Sequence, residues 1–270
     1  MIQLQTNGIS NYDGLTVQYR RSFGFGFQGQ INYTWSHALD DISNGGAFEP
    51  YSFCSGCSLS TLANPNLAAN YGNADYDIRN SLSGDFVWDL PFKFGDKKLL
   101  TNLLGNWTLS TKLYLRSGTP FSIIDSALAG SLSPTIGGTM LATPVTTIPE
   151  TCGASAVNTA CYSLSDFLPS KSETAFAPVG RNALHGPDYF STDISLFKNF
   201  NVTERMTLQL GINAYNALNH PNFQNPNADV AGSGFGMITS TAIPPTSAYG
   251  AFQGSSVSGR VVVLTGRFSF

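Results

Sequence analysis

Residues 12–35 read YDGLTVQYRRSFGFGFQGQINYTW, and this stretch decides the fold. Leu15, Val17 and Tyr19 alternate with Thr16, Gln18 and Arg20. After a break at Ser22-Phe23-Gly24, Phe25, Phe27, Ile31, Tyr33 and Trp35 alternate with Gln28, Gln30, Asn32 and Thr34. A period of two belongs to a β-strand with one apolar and one polar face, and two such runs joined by three residues predict an antiparallel hairpin.

The same pattern recurs five more times. Residues 79–90 set Leu82, Phe86, Trp88 and Leu90 against Ser81, Ser83, Asp85 and Asp89. Residues 107–117 set Trp107, Leu109, Leu113 and Leu115 against Thr108, Ser110, Lys112 and Arg116. Residues 189–200 alternate Phe190, Ile194, Leu196 and Phe200 with Ser191, Asp193, Ser195 and Asn199. Residues 206–216 alternate Met206, Leu208, Leu210 and Ile212 with Thr207, Gln209 and Asn213. Residues 260–270 close the chain with Val262, Leu264, Phe268 and Phe270 against Thr265, Arg267 and Ser269.

Seven strands of ten to twelve residues are therefore expected, with all fourteen prolines outside them. Eleven residues at about 3.3 Å each, tilted by roughly 40°, rise about 27 Å. That matches the apolar band of an outer-membrane barrel, about 25 Å tall, whereas strands in soluble sheets average about five or six residues. The competing architecture, a secreted β-sandwich, has shorter strands.

The connections alternate in length. Residues 22–24, 91–106 and 201–205 are the shorter ones, while 36–78, 118–188 and 217–259 span 43, 71 and 43 residues. Short turns at one rim and long loops at the other are the outer-membrane arrangement. The expected fold is all-β, an antiparallel up-and-down transmembrane barrel segment with three long extracellular loops. On this frame Gln28, Gln30, Asn32, Lys112, Arg116, Asp193, Gln209 and Asn213 face the lumen. Tyr33, Trp35, Trp88, Trp107, Phe200, Phe268 and Phe270, with Tyr19, Phe25, Phe27 and Phe190, form lipid-facing aromatic girdles.

Composition agrees. Charged residues are only 11% of the 270 residues against about 25% in ordinary domains, while hydrophobic residues are 42%. The aromatic content argues against disorder. No apolar run is long enough for a membrane helix. A net charge of −3 gives no electrostatic case for nucleic acid. The opening MIQLQTNGIS has neither a basic n-region nor an apolar h-region. Single-chain bacterial barrels have an even number of strands, so seven strands predict the C-terminal part of a larger barrel, residues 1–270, lacking its beginning.

The run NYDGLTVQYRRSFGFGFQGQINYTWSHALDD (11–41) resembles the TonB-dependent outer-membrane receptors of the Oar-like type, found in Acidobacteria. So do DIRNSLSGDFVWDLPF (77–92), WTLSTKLYLRSGTPFSI (107–123) and GPDYFSTDISLFKNFNVTERMTLQLGINAYNALNHPNFQNPN (186–227), in the same order. The resemblance implies a 22-stranded barrel closed by a plug, importing a scarce nutrient such as a siderophore or carbohydrate with energy relayed by TonB. Implied partners are outer-membrane lipid and lipopolysaccharide, the missing N-terminal barrel and plug, and the TonB complex through that plug. The barrel assembly machinery is implied through the terminal strand ending in Phe270. A non-transporting surface or adhesion protein and a passive porin-like channel are the alternatives.

Other chemistry is weaker. Gly24-Phe25-Gly26-Phe27-Gln28-Gly29 fits G-x-G-x-x-G, but a strand follows it where a nucleotide site needs a helix. Cys54-x2-Cys57 and Cys152-x8-Cys161 are local pairs in long loops. Two disulfides are the simplest reading, beside free thiols or a metal site. His37, His185 and His220 are far in sequence from both pairs, and no catalytic triad is recognisable, so neither an enzyme nor a cofactor is expected. The three long loops hold eleven Asp/Glu and two Lys/Arg (Lys171, Arg181), which predicts an acidic outer face. On that reading Asp40-Asp41 and Asp75-x-Asp77 are solvated loop acids or cation ligands.

Overall fold

The computed structural model describes residues 8–41, 71–92, 98–128, 140–169, 179–203, 205–242 and 259–270. Seven long strands form one antiparallel meander: β1 Ser10–Ser22, β2 Phe27–Asp40, β4 Asn80–Asp89, β5 Trp107–Arg116, β10 Tyr189–Asn201, β11 Thr207–Tyr215 and β12 Val261–Ser269. Each pairs with the next in chain order, and β3, Gly72–Asn73, adds a short eighth strand beside the end of β2. The four remaining strands are pairs outside this sheet, β6 Pro120–Phe121 with β9 Leu184–His185 and β7 Ile124–Asp125 with β8 Met140–Leu141.

Register makes the alternation continuous across the sheet. One face carries the row Val17, Tyr33, Leu82, Leu115, then Phe190. A second apolar row runs Phe27, Trp88, Leu109, Leu196, Ile212, Leu264. The other face carries Arg20, Gln30, Asp85, Lys112 and Asp193 opposite one another in sequence. A one-residue slip in any strand would exchange the faces, so the shared pattern fixes the pairing.

The apolar face is uncovered. Leu15, Val17, Ile31, Trp35, Leu210, Ile212, Val262 and Phe268 are all exposed, and Leu264 is 76% exposed. In water such a face would collapse onto another layer; here no layer of described residues covers it apart from one helix at its rim.

The short connections differ from expectation in detail. The first turn spans 23–26: Phe23 N–H donates to the Phe27 carbonyl at 2.7 Å, and Phe25 (φ 62°) and Gly26 (φ 77°) both take the left-handed region. Phe25 is therefore a turn residue and 88% exposed, not the first outward residue of a strand. A Cβ on Gly26 would lie 2.7 Å from the Asp89 carbonyl, so the glycines serve a close turn rather than a phosphate. The connection 90–106 contains a helix, α1 Lys98–Leu104, which the strand period could not reveal. β2 runs on to Asp40, five residues into the stretch read as loop.

The three long connections share one end of the meander. There their described parts form a cap, in which the second and third connections share a buried core of Phe121, Ile123, Ala142, Tyr162, Phe167, Leu184, Val230, Phe235 and Ile238.

Candidate functional site

The cap begins with short pairings. Phe121 and Ile123 enter on β6 and just beyond it, and Ile124 N–H donates to the Ala228 carbonyl at 2.9 Å while Val230 N–H returns to the Ile124 carbonyl at 2.9 Å. The third connection is thus woven into the second. Tyr162 sits between Phe121 and Phe235, with ring centroids 6.3 and 6.5 Å away. Its hydroxyl donates to the Pro149 carbonyl at 3.1 Å, and burial pushes its ionisation up to about 12. Gly236 has φ 76°, and a Cβ there would approach the Tyr162 carbonyl to 2.5 Å, so only glycine closes this corner.

Cys152 and Cys161 are joined by a disulfide that brackets a 3-10 turn, Ala154–Val157. Cys161 N–H donates to the Gly236 carbonyl and Ile238 N–H to the Ala156 carbonyl, both at 2.9 Å, so this bracket also holds the third connection. Cys54 and Cys57 lie outside the described residues.

A buried polar joint ties the cap to the sheet. Arg181 has no exposed side-chain surface and donates to the Asp40 carboxylate at 2.5 Å, to the Asp40 carbonyl, and to the Gly72 carbonyl at 3.4 Å. Beside it Asn182, left-handed at φ 54°, donates from its amide side chain to the Asn73 carbonyl at 2.8 Å and the Asp75 carboxylate at 2.7 Å. Its backbone N–H donates to Ser122 Oγ at 2.7 Å. One dipeptide of the second connection therefore binds both the first connection and the end of β2.

Several of the described loop acids are withdrawn from solvent. Asp40, Asp41, Asp77 and Asp125 are buried. Asp41 accepts from Ile9 N–H at 2.9 Å, Asp77 from Ala38 N–H at 2.7 Å and from Arg79, and Asp188 from Gly118 N–H at 3.0 Å. Asp229 accepts from the N–H groups of Ser126 and Ala231, and Asp166 closes a capping box with Ser163. These carboxylates anchor backbone that no regular ladder satisfies. Burial of Asp40, Asp41 and Asp77 sets aside the expectation that these three are solvated loop acids. No group of three metal-ligating residues occurs among the described residues.

Sequence distance concealed one meeting. His185 accepts at its carbonyl from Cys152 N–H at 2.8 Å, and burial holds its imidazole below the ordinary value, with Asp77, Arg79, Glu150 and His37 also acting on it. His37 is 2.9 Å from Asn73 Oδ1 through Nε2. His220 lies apart, stacked edge-on against Phe190 at 5.3 Å.

The eight polar positions expected at the lumen share one face. Gln30 Nε2 donates to Asp85 at 3.1 Å, Lys112 lies 3.8 Å from the same carboxylate, and Asp193 accepts from Asn216 N–H at 2.9 Å. Asn32 reaches Ser83 at 3.4 Å and Gln209 reaches Asn199 at 2.9 Å. Arg116 covers the Tyr189 ring at 5.2 Å. Gln28 and Asn213 follow by register, opposite Val87 and Ser195. The girdle residues Tyr33, Trp35, Trp88, Trp107, Phe200 and Phe268 share the other face, and Phe270 follows β12, 96% exposed.

The cap leans over the polar face. Ser36, Ala38 and Asp40 on β2, and Tyr189, Ser191 and Asp193 on β10, all project from that face and all are buried at the cap end. Within the cap a cleft of about 240 Å³ is lined by Phe121, Ile123, Leu141, Phe167 and Leu184, with Glu150 its charged member. That is below the usual range of small-molecule sites, about 300–1,000 Å³.

Comparison with curated proteins and with solved structures found no match. The family model described as outer membrane beta barrel domain matches residues 1–252. That match covers most of the chain and, with a meander whose apolar face is turned outward to its surroundings, places the protein in the bacterial outer membrane. The chain belongs to the outer membrane β-barrel domain family.

Proposed function

We propose that this chain forms wall and mouth of an energy-coupled outer-membrane transporter of the TonB-dependent type, importing a scarce nutrient such as a siderophore or carbohydrate. The observation that carries the reading is the position of the cap. Its joint at Arg181 and Asp40 lies on the polar-face side, and it buries the upper ends of the polar rows on β2 and β10. A folded mass over the end of a polar wall suits a gated route, where captured solute waits for an energy-dependent opening. A passive pore needs an open aqueous lumen. The resemblance of the strand blocks to Oar-like receptors supports the same reading.

On this reading Gln28, Gln30, Asn32, Lys112, Arg116, Asp193, Gln209 and Asn213 line the lumen against a plug, and the cap makes first contact with solute. The girdle Tyr33, Trp35, Trp88, Trp107, Phe200, Phe268 and Phe270 sits at the two lipid interfaces. β1 and β12 are the sheet's edges, and lipid does not tolerate unpaired edges, so further strands complete the barrel there. TonB acts through the plug, and the assembly machinery reads β12. The reading includes no catalytic step.

The test is uptake of labelled ferric siderophores and oligosaccharides by cells with and without the intact gene, each with and without a protonophore. The proposal expects gene-dependent uptake that the protonophore abolishes. Gene-dependent but protonophore-insensitive flux would instead mean a passive channel. Unchanged flux with loss of surface attachment would mean an adhesion protein.

A further inference from the structure

Helix α1 raises a problem that strand alternation does not. Lys198 projects from the apolar face of β10, in line with Ile194, Leu196 and Phe200, at the rim of the short turns. A cation on a lipid-facing strand is costly unless it is shielded and paired. Lys198 is only 4% exposed. Its ammonium donates to the Asn102 carbonyl at 2.7 Å, to the Gly105 carbonyl, and to the Asn199 carbonyl at 3.3 Å. It also lies 5.6 Å from the Trp107 ring centroid and 4.8 Å from that of Phe200.

Asn102 and Gly105 belong to the last turn of α1 and the residue after it, where helix carbonyls lack internal partners and carry partial negative charge. Lys198 therefore caps the helix from below, and the helix must lie on the apolar face to be capped. Asn102 fixes the docking a second time, donating to the Asn201 carbonyl at 3.1 Å and accepting from Asn201 N–H at 2.9 Å. The helix turns Leu103 and Leu104 away from the sheet, 52% and 53% exposed. Phe92 and Val202 are exposed as well, and Phe200, whose ring lies 4.8 Å from the Lys198 ammonium, leads across Leu208 to the exposed Phe268 of the lipid-facing belt.

We propose that α1 is an interfacial lipid anchor: it lies along the periplasmic rim and inserts Leu103 and Leu104 among the acyl chains of the inner-leaflet phospholipids. Its C-terminal carbonyls are taken by Lys198 and its Asn102 side chain by Asn201, while Leu103 and Leu104 stand exposed. Continuity with the lipid-facing belt identifies phospholipid as the occupant. The inference rests on the outer-membrane placement and is independent of transport.

The test reconstitutes the full-length protein in phosphatidylethanolamine–phosphatidylglycerol vesicles. An environment-sensitive fluorophore is attached at Leu104→Cys in a Cys54→Ser/Cys57→Ser background with the Cys152–Cys161 bridge kept oxidised. Nitroxide quenchers are carried high on the acyl chain or near its end. The high quencher should dim the Leu104 site about threefold more than a control label at Val145→Cys in the cap, as expected for a side chain at the boundary of headgroups and chains. Lys198→Met should reduce that quenching while the protein still shows barrel migration on unboiled gels, because the helix loses its cap but the sheet does not. Quenching at Leu104 no greater than at Val145 would overturn the proposal, as would protection from both lipid and aqueous quenchers, which would place another protein surface there.

Discussion

The sheet and the cap are built from one chain on opposite rules. In the sheet, large apolar side chains point away from the protein and the backbone ladders supply the order. In the cap, the apolar side chains point inward around Tyr162 and Phe235, as in a water-soluble domain, and few regular ladders exist. The difference follows from the solvent. A lipid-facing strand gains nothing by hiding its leucines but cannot leave an N–H unpaired. A water-exposed cap must bury its apolar groups, and it satisfies irregular backbone with the carboxylates of Asp188 and Asp229.

Arg181 joins the two regions, so it is the sharpest place to separate them. Arg181→Ala takes the guanidinium away from the buried Asp40 carboxylate, at a cost of about 3–5 kcal/mol. The cap should become open to added protease on intact cells, while the sheet keeps its resistance to unfolding in detergent. If the whole protein unfolds instead, the two regions are one cooperative unit. The reciprocal change is Leu210→Arg, which puts charge on the lipid face for about 2–4 kcal/mol near mid-membrane. Barrel assembly should fail, whereas Gln30→Arg, on the polar face beside Asp85, should assemble normally. Equal tolerance would erase the distinction between the faces.

A smaller effect tests the cap alone. Cys152→Ser with Cys161→Ser removes a short cross-link worth about 2–3 kcal/mol. It should speed hydrogen exchange at Cys161, Gly236 and Ile238 without altering exchange in β10 or β11. The smallest concerns pH. The Tyr162 phenol is pushed up to about 12 from 10.0, so the fold favours its neutral form. Cap stability from this group is complete below pH 10 and declines as pH rises through about 12. His185 is held below 6.5 by burial, so its contribution is complete above that value and is lost as pH falls. Near-ultraviolet dichroism should report both limits, and Tyr162→Phe should lessen the alkaline decline while costing about 1 kcal/mol for the lost hydrogen bond.

The sheet was legible in the sequence because its rule is local. Residues such as Leu208, Gln209 and Leu210 declare their faces by parity alone, and β11 pairs its neighbours in that register. The polar row from Gln30 to Asp193 and the girdle from Tyr33 to Phe268 followed from the same parity. The cap was not legible, because its contacts join distant positions. Nothing near Arg181 announces Asp40, and nothing near Tyr162 announces Phe235. Counting loop acids likewise cannot show which carboxylates are buried or accept backbone N–H groups, as Asp41 and Asp77 do. Helix α1 escaped because its seven residues are too few for a helical period to stand out between two strands. Lys198, breaking the apolar run of β10, was the one local sign that something covers that strand.

The most direct test of the account is a nitroxide scan along β11, one label at a time from Leu208 to Asn213, with the protein in its native outer membrane. Collision rates with oxygen, which concentrates in lipid, and with a water-soluble nickel chelate would be compared at each site. Strict alternation is expected, with Leu208, Leu210 and Ile212 oxygen-accessible and Gln209, Gly211 and Asn213 shielded from lipid. Accessibility without a period of two, or with the two sets exchanged, would contradict a membrane-spanning sheet whose apolar face meets lipid.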